Sequence, residues 1–184
     1  MDNEGGPRPA SEDAGFRLET ERLILRPFAL DDLDELAPIL GDAETMQYYP
    51  APFTRERSRQ WIVWNLANYR DHGHGLWVLE SRETGELLGD CGLIPQTIDG
   101  RKEVEVGWHV KKTHWSRGLA TEAGAACRDH AFGELGLTRL ISLIRPENVP
   151  SRRVAEKLGM TIEKEISHGP GSGMPHFVYV LEKT

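Results

Sequence analysis

The stretch VEVGWHVKKTHWSRGLATEA, residues 104–123, combines the signals that decide the fold. Its first half alternates apolar and polar residues and predicts a strand over 102–110. Gly118 and Ala120 permit a tight turn, and the residues that follow predict a helix over about 119–134. The first backbone N–H groups of such a helix have no partner within it, and the helix dipole adds partial positive charge. The stretch therefore predicts a strand, a turn and a helix N-terminus suited to bind a phosphate.

The chain as a whole is acidic, with a net charge of −7 at pH 7, which disfavours nucleic acid or an anionic membrane as a partner. An anion must therefore be bound by local groups. Five basic residues lie near the turn or at the start of a later helix: Lys111, Lys112, Arg117, Arg152 and Arg153. Two interpretations stay open, because such turns are common without a ligand and basic residues often form a solvated surface. The chain lacks the G-x-x-x-x-G-K-[ST] and G-x-G-x-x-G motifs, which disfavours a P-loop and a dinucleotide site.

The length of 184 residues suits a single domain, which we expect over 16–184. Residues 1–15 are polar and rich in glycine and proline, and they predict a disordered leader without a secretory signal. No apolar run is long enough to predict a membrane span. Cys91 and Cys127 have no second pair of metal ligands nearby, so we expect neither a disulfide framework nor a zinc site, and a cytoplasmic location.

The remaining patterns predict the element order β-αα-βββ-α-β-α-ββ. The predicted strands cover 16–28, 76–81, 86–96, 102–110, 138–146 and, near the end, 160–167 and 176–182. The predicted helices cover 30–42, 54–73, about 119–134 and 148–160. This order indicates a mixed α/β (α+β) fold, with one sheet of about six or seven strands flanked by about four helices.

The opening stretch, followed by NVPSRRVAEKLGM at 148–160, resembles the GCN5-related N-acetyltransferase (GNAT) superfamily. It is most similar to the branch that includes the ribosomal-protein N-terminal acetyltransferases. The resemblance extends over about residues 16–182, and the predicted element order matches that of the superfamily. It implies a centrally splayed sheet, acetyl-CoA as co-substrate and an amine as acceptor. Homodimers are frequent in the superfamily, so a homodimer is the oligomer that the resemblance implies.

The family's phosphate loop, Q/R-x-x-G-x-G/A, corresponds here to Trp115 through Ala120. Trp115 replaces the leading Gln or Arg, and Ser116 stands where the branch often has glycine. The resemblance implies that the amides of about Arg117 to Ala120 bind the pyrophosphate, while the pantetheine lies along strand 102–110. The cofactor-binding residues implied are Trp108, His109, Val110, Trp115, Ser116, Arg117, Gly118, Leu119, Ala120, Thr121, Asn148, Ser151 and Arg152.

The resemblance also implies that strand 102–110 splays away from the strand at 138–145. A bulge near Gly107–Val110 would leave an amide free to polarise the thioester carbonyl. Glycine within a strand is consistent with a bulge, although it weakens the strand in any event.

Glu105 is the first candidate for a catalytic base, because it matches the Glu of the branch's E-[IV]-G pattern. In the other interpretation, Glu103 and Glu105 form the polar face of an alternating strand. His109 and His114 are further candidates, although a lone histidine is more often structural. An α-amine, with a pKa of about 7.7–8, is far more often neutral at pH 7 than a lysine amine near 10.4, and needs less help from a base.

Many superfamily members protonate the leaving thiolate with a tyrosine in the form N-x-x-A-x-x-x-Y. In this chain Ala155 occupies that tyrosine position. Ser151 matches a serine of the branch and is the substitute candidate, although a serine in a first helical turn also bonds the local backbone. Asn148 would contact the pantetheine, cap the helix, or do both.

The resemblance places the acceptor pocket among the early helices over 30–73 and the loop between the last two strands. Five aromatic residues are candidates for its lining, and the spacing of Trp61 and Trp64 also suits a core: Tyr48, Tyr49, Trp61, Trp64 and Trp77. GPGSG at 169–173 predicts a mobile loop that could act as a lid. The HGHG run at 72–75 is too weak a signal for a metal site. We expect an acetyl-CoA-dependent N-acetyltransferase, with a non-catalytic acyl-CoA-binding sensor or interaction module as the alternative.

Overall fold

The computed structural model describes residues 15–167 and 173–183, in which eight strands form one sheet flanked by four α-helices. The strands are β1 Leu18–Glu19, β2 Leu23–Arg26, β3 Leu76–Ser81, β4 Leu87–Ile98, β5 Arg101–Val110, β6 Arg139–Ile144, β7 Thr161–Ser167 and β8 Pro175–Glu182. The α-helices are α1 Leu33–Leu40, α2 Arg55–His72, α3 Leu119–Gly133 and α4 Val149–Lys157. The predicted leader and the predicted lid lie outside the described residues, except for Gly15 and Gly173.

The predicted mixed α/β fold is confirmed, with one strand more than expected. The single strand predicted over 16–28 is wrong, because a tight turn divides this segment into β1 and β2. At that turn the Thr20 amide donates to the carbonyl of Leu23 at 2.9 Å, and the Leu23 amide donates to Thr20 Oγ1 at 3.0 Å. Leu18 pairs with Leu25 in the antiparallel ladder, so the apolar positions change from even to odd numbers across the turn.

Helix α2 shows why the predicted boundaries agree with the observed ones. Thr54 accepts a hydrogen bond from the Arg57 amide at 3.2 Å and so satisfies one of the free N–H groups of the first turn. Gly73 ends the helix in a left-handed conformation with φ of 74°. Both signals are local and can be read from the sequence. Within the described residues, every helix is too short or too polar to traverse a lipid bilayer.

The sheet has the strand order β1-β2-β3-β4-β5-β6-β8-β7, and β5 and β6 form its parallel pair. These two central strands pair at Glu105 and Ile141 only, whereas β4 and β5 are paired along their lengths from Gly89↔Val110 to Ile98↔Arg101. The C-terminal ends of β5 and β6 therefore diverge, and the sheet is splayed at its centre as the resemblance implied.

The bulge predicted near Gly107–Val110 is wrong, because the register of β4 with β5 runs unbroken through these residues. Gly107 lies opposite Gly92, and Gly89 lies opposite Val110. A β-carbon on Gly89 would lie 2.0 Å from the carbonyl oxygen of His109, so glycine here lets the two backbones approach closely. The divergence of β6, and not a bulge, leaves one side of β5 without a strand partner.

Two helical layers cover opposite faces of the sheet. Alternate residues of β3 show this division, because Trp77 packs in the core under α3 and α4, while Val78 packs in the core under α1 and α2. Helix α3 presents small side chains to the sheet, and a β-carbon on Gly124 would lie only 2.8 Å from a methyl carbon of Leu158. This close packing fixes α3 against the C-terminal end of α4.

We predict that Gly89→Ala lowers the free energy of unfolding by roughly 2–4 kcal/mol, because the new methyl group meets the His109 carbonyl and φ is +146°. Gly100→Ala is the matched control in the same hairpin, where φ is +78° and no atom lies within 4 Å of the added carbon. It should cost about 1–2 kcal/mol for the left-handed backbone alone. Urea unfolding with an unchanged m value measures the free energy of unfolding of both variants. Equal losses of stability in the two would contradict the close approach of Gly89 to the His109 carbonyl.

Candidate active site

A cavity of about 520 Å³ opens where β5 and β6 diverge. It is bounded by the ends of these strands, the turn before α3, the first turns of α4 and the segment between α1 and α2. Most of the residues implied as site residues line it: Glu105, Trp108, His109, Val110, Trp115, Ser116, Gly118, Leu119, Ala120, Thr121, Asn148 and Ser151.

The turn before α3 has the backbone geometry of an anion site. Ser116 and Gly118 adopt positive φ angles of 60° and 78°, and Gly118 stands at the N-cap of α3 with no side chain to satisfy the first amides. The amides of Leu119 and Ala120 lie in the first helical turn, where no carbonyl within the helix can accept from them. Trp115 fixes the turn to β5, because its indole Nε1 donates to the carbonyl of Val110 at 2.7 Å.

A second set of contacts holds the turn from the side of β1 and β2. Arg22 Nη1 donates to the carbonyl of Arg117 at 2.8 Å, and Arg22 Nη2 lies 2.6 Å from Glu122 Oε2. Burial raises the pKa of Glu122, but hydrogen bonds from Thr20 and Arg22 outweigh it and hold that pKa below its usual value. The ion pair neutralises the acidic group in the first turn of α3, which would otherwise repel an anion.

Two of the residues implied as cofactor-binding lie outside the cavity lining. The side chain of Arg117 is exposed to solvent, and its implied contact was through the backbone amide. Arg152 is directed toward β8, where its Nε donates to the hydroxyl of Tyr179 at 3.2 Å and its Nη1 donates to the carbonyl of Pro146 at 3.0 Å. Arg153, the next residue along α4, lines the cavity instead.

The cations that do face the cavity are Arg153 and Lys157, which lie one turn apart on α4 and are both exposed. Lys157 was missed by sequence reasoning, although its i+4 spacing from Arg153 places it on the same face. Lys111 and Lys112 are engaged elsewhere, in ion pairs with Glu86 and Glu44. The basic charge that faces the cavity is therefore carried by α4.

Glu105 lies buried at the point where the strands separate. Its Oε2 accepts from Gln96 Nε2 at 2.6 Å, and its Oε1 accepts from the Leu143 amide of β6 at 3.1 Å. Burial raises the pKa of Glu105 to about 6, against the opposing effect of these two hydrogen bonds. The carboxylate is thus largely ionised at pH 7 and able to accept a proton. Glu103 differs, because it bonds Arg139 outside this cavity.

His109 is also buried, and it belongs to a chain of hydrogen bonds that crosses three elements. Its Nδ1 lies 2.7 Å from Asp90 Oδ1 on β4, and its Nε2 lies 2.8 Å from the hydroxyl of Tyr49. Asp90 Oδ2 accepts from the indole Nε1 of Trp61 at 2.9 Å. Burial lowers the pKa of His109, but Asp90 and Glu105 outweigh it, so the pKa is raised above its ordinary value. His114 lies apart from this chain, with its Nδ1 3.0 Å from Thr113 Oγ1.

Ser151 lies on the opposite wall, at the start of α4. Its oxygen accepts from the indole Nε1 of Trp108 at 3.3 Å, so its own hydroxyl hydrogen remains available to a further acceptor. Asn148 Oδ1 caps α4 by accepting from the Ser151 amide at 3.1 Å. Ala155 is fully buried on the inner face of α4, so the position that carries tyrosine in many superfamily members has no hydroxyl here.

The aromatic candidates for the acceptor pocket separate into two groups. Tyr48 and Tyr49 line the cavity. Trp77 is in the core, where it stacks on Phe16 with ring centroids 4.4 Å apart, so the expectation that it lines the pocket is wrong. Trp61 is half-buried behind Asp90, and Trp64 is 38% exposed on α2 and is not a core residue.

Cys91 and Cys127 lie 36 positions apart in the sequence, but their sulfurs are 3.7 Å apart in the core as free thiols. Their proximity could not be read from their spacing, because it depends on the packing of α3 against β4. Across residues 15–167 and 173–183, no three His, Cys, Asp or Glu side chains are grouped so that they could hold a metal ion.

Comparison with known proteins identifies a family. Residues 22–161 match the model of the acetyltransferase (GNAT) domain. The uncharacterized protein YkkB of Bacillus subtilis is 37% identical over 84% of this chain and 90% of its own length. The uncharacterized N-acetyltransferase p20 of Bacillus licheniformis is 32% identical over 79% and 83%. A crystal structure of an acetyltransferase from Agrobacterium tumefaciens is 31% identical, covers 100% of this chain and 99% of its own, and has a TM-score of 0.77.

We predict that Arg153→Ala weakens the binding of acetyl-CoA about two- to fivefold at low salt, as expected for one exposed ionic contact. Lys157→Ala should act in the same direction. Arg152→Ala is the matched control and should leave the dissociation constant unchanged, because this side chain is directed toward β8. Isothermal titration calorimetry of the three variants measures their dissociation constants for acetyl-CoA. A larger loss of affinity in Arg152→Ala than in the other two would contradict the assignment of Arg153 and Lys157 as the cations that bind the ligand.

Proposed function

The chain belongs to the acetyltransferase (GNAT) domain family, and we propose that it transfers the acetyl group of acetyl-CoA directly to a primary amine. The acceptor is a protein N-terminal α-amine or the amine of a small molecule. One observation carries this proposal: a single cavity joins the amide-rich turn before α3 to Glu105 and Ser151. A phosphate site, a buried base and a hydroxyl donor then stand along one path.

Acetyl-CoA, the co-substrate of this family, would lie along that path. The amides of about Arg117 to Ala120 would bind its pyrophosphate, supported by the charges of Arg153 and Lys157. The pantetheine would extend along β5, whose backbone groups have no strand partner on the side of β6 beyond Glu105. An amide of that free edge would donate to the thioester carbonyl and stabilise the oxyanion that forms on attack.

The acceptor amine must lose a proton before it attacks, and Glu105 would accept that proton directly or through water. Attack gives a tetrahedral adduct, and its collapse breaks the carbon–sulfur bond. The hydroxyl of Ser151 would donate to the departing sulfur, because its oxygen already accepts from Trp108. This arrangement supports Ser151 as the replacement for the tyrosine that this chain lacks at Ala155.

The pKa of Glu105 bears on the choice of acceptor. A base with a pKa of about 6 deprotonates an α-amine of pKa about 8 with a small energetic penalty, and a lysine amine near 10.4 with a much larger one. This comparison favours an α-amine and agrees with the motif resemblance to the ribosomal-protein branch.

The free thiols of Cys91 and Cys127 support a location in the reducing cytoplasm.

The proposal is tested by a thermal-shift titration with acetyl-CoA, followed by a thiol-release assay with four probes. The probes are a peptide with a free N-terminus, its Nα-acetylated counterpart that retains a lysine, spermidine and an aminoglycoside. We expect a concentration-dependent rise in the melting temperature and thiol release with the free N-terminus. Stabilisation without release from any probe would instead indicate the acyl-CoA sensor, and no stabilisation at millimolar acetyl-CoA would contradict the proposal.

Glu105→Gln should lower kcat/KM about 100-fold or more at pH 7, because it removes the proton acceptor. In the wild type, kcat/KM should rise with pH through about 6, since the carboxylate must be ionised to act. That rise should vanish in the variant. Glu103→Gln, on the same strand but bonded to Arg139, should keep the rise of kcat/KM with pH. Ser151→Ala should lower kcat without moving the midpoint of that rise. A Glu105→Gln enzyme that retains the wild-type pH profile would exclude this residue as the base.

A further inference from the structure

The geometry points to a second proton acceptor for this reaction: Tyr49 contacts the acceptor amine and passes its proton to His109, which Asp90 holds in place. This inference rests on the proposed function. Tyr49 is the catalytic residue of the set because it lines the cavity and its hydroxyl bonds His109, whereas Asp90 is a positioning residue that acts through His109.

The reaction needs two proton acceptors. A primary amine enters mainly as an ammonium ion and leaves as an amide, so its nitrogen loses two protons, one before attack and one from the tetrahedral adduct. One proton is matched by the proton gained at sulfur when the carbon–sulfur bond breaks, and the other reaches solvent. Glu105 can accept only one proton at a time, so a second acceptor on the same cavity allows both losses without an intervening exchange with water.

The chain of hydrogen bonds has a defined direction. Asp90 is fully buried, and its carboxylate accepts from Trp61 Nε1 through one oxygen and faces His109 Nδ1 at 2.7 Å through the other. An ionised carboxylate has no proton to donate, so Nδ1 of His109 carries the hydrogen. In the neutral ring, the lone pair of Nε2 is therefore directed at the hydroxyl of Tyr49, 2.8 Å away.

The proton transfer balances along this chain. After Glu105 has taken the first proton and the amine has attacked, the oxygen of Tyr49 accepts the second proton from the nitrogen of the tetrahedral adduct while its own hydrogen moves to Nε2 of His109. The products are an adduct with a neutral nitrogen, an unchanged Tyr49 hydroxyl and an imidazolium ion beside Asp90. No net charge forms on Tyr49, which is consistent with a phenol whose pKa is raised by burial and by the charges of Glu105 and Asp90.

The groups around His109 suit a base that works near neutral pH. The titratable groups that face the ring are Asp90 from β4, Glu105 from β5 and Tyr49 from the segment between α1 and α2, while the indole of Trp61 packs against it from α2. Both carboxylates favour the imidazolium. A purely structural His–Asp pair would need no opening to the cavity, yet His109, Tyr49 and Glu105 all line it.

The kinetic test uses Tyr49→Phe, which removes only the hydroxyl, and Tyr179→Phe as a matched control, because the hydroxyl of Tyr179 bonds Arg152 and Glu156 outside the cavity lining. The assay varies acetyl-CoA at a saturating concentration of whichever of the four amine probes releases thiol fastest. We expect Tyr49→Phe to lower kcat about 10- to 100-fold with an unchanged KM for acetyl-CoA, and Tyr179→Phe to remain within about twofold of wild type. A Tyr49→Phe enzyme within about twofold of wild-type kcat would overturn the inference.

A second measurement needs no acceptor. The imidazole ¹⁵N signals of His109, followed by NMR from about pH 5 to 9 in the acetyl-CoA complex, should show a titration with its midpoint above the ordinary histidine pKa. Asp90→Asn should lower its midpoint, because the loss of the carboxylate charge disfavours the imidazolium, and Tyr49→Phe should shift the Nε2 signal. If His109 keeps one protonation state over this range, the inference fails. If wild-type protein acetylates none of the amines, the proposed function fails, and this titration alone decides whether His109 accepts a proton.

Discussion

The separation of β5 from β6 after a single paired position is the constraint on which the rest of the site depends. Parallel strands normally satisfy each other's backbone groups along their lengths, and a gap between them exposes donors and acceptors that need other partners. In this protein the Glu105 carboxylate lies at the point where the two strands separate and accepts a hydrogen bond from the Leu143 amide of β6. The same side chain thus compensates for a missing ladder contact and supplies the proposed base, so its structural and chemical roles cannot be separated.

The fold could be predicted from the sequence because its signals are local. Capping residues such as Thr54, glycines such as Gly73 and the alternation in 102–110 act within a few residues of the element they define. The division of 16–28 into two strands was missed because the turn at residues 20–22 contains neither glycine nor proline, the usual turn signals. The expected bulge was wrong because glycine in a strand is not specific to a bulge, and Gly107 keeps its regular pairing opposite Gly92.

The site could be predicted in part, because some of its signals are also local. The turn before α3 and the cap at Asn148 are local motifs, and the structure brings them to one cavity. The contacts of His109 with Asp90 and Tyr49 join residues 19 and 60 positions apart, so they depend on strand register and on a loop path that no local pattern encodes. Arg152, expected at the cofactor site, does not line the cavity, whereas the neighbouring Arg153 does, and no local pattern distinguishes the two arginines. In an acidic protein, such single cations decide where an anion can bind.

The ion pair between Arg22 and Glu122 links the edge of the sheet to the turn before α3. Arg22 contributes no atom to the cavity lining, yet it holds both the carbonyl of Arg117 and the acidic side chain at the start of α3. A protein truncated or cleaved just after Arg22 would keep every cavity-lining residue but release an uncompensated carboxylate beside the anion site. The integrity of its amino-terminal edge is therefore a condition for ligand binding as well as for stability, and a tag or fusion placed there should be designed accordingly.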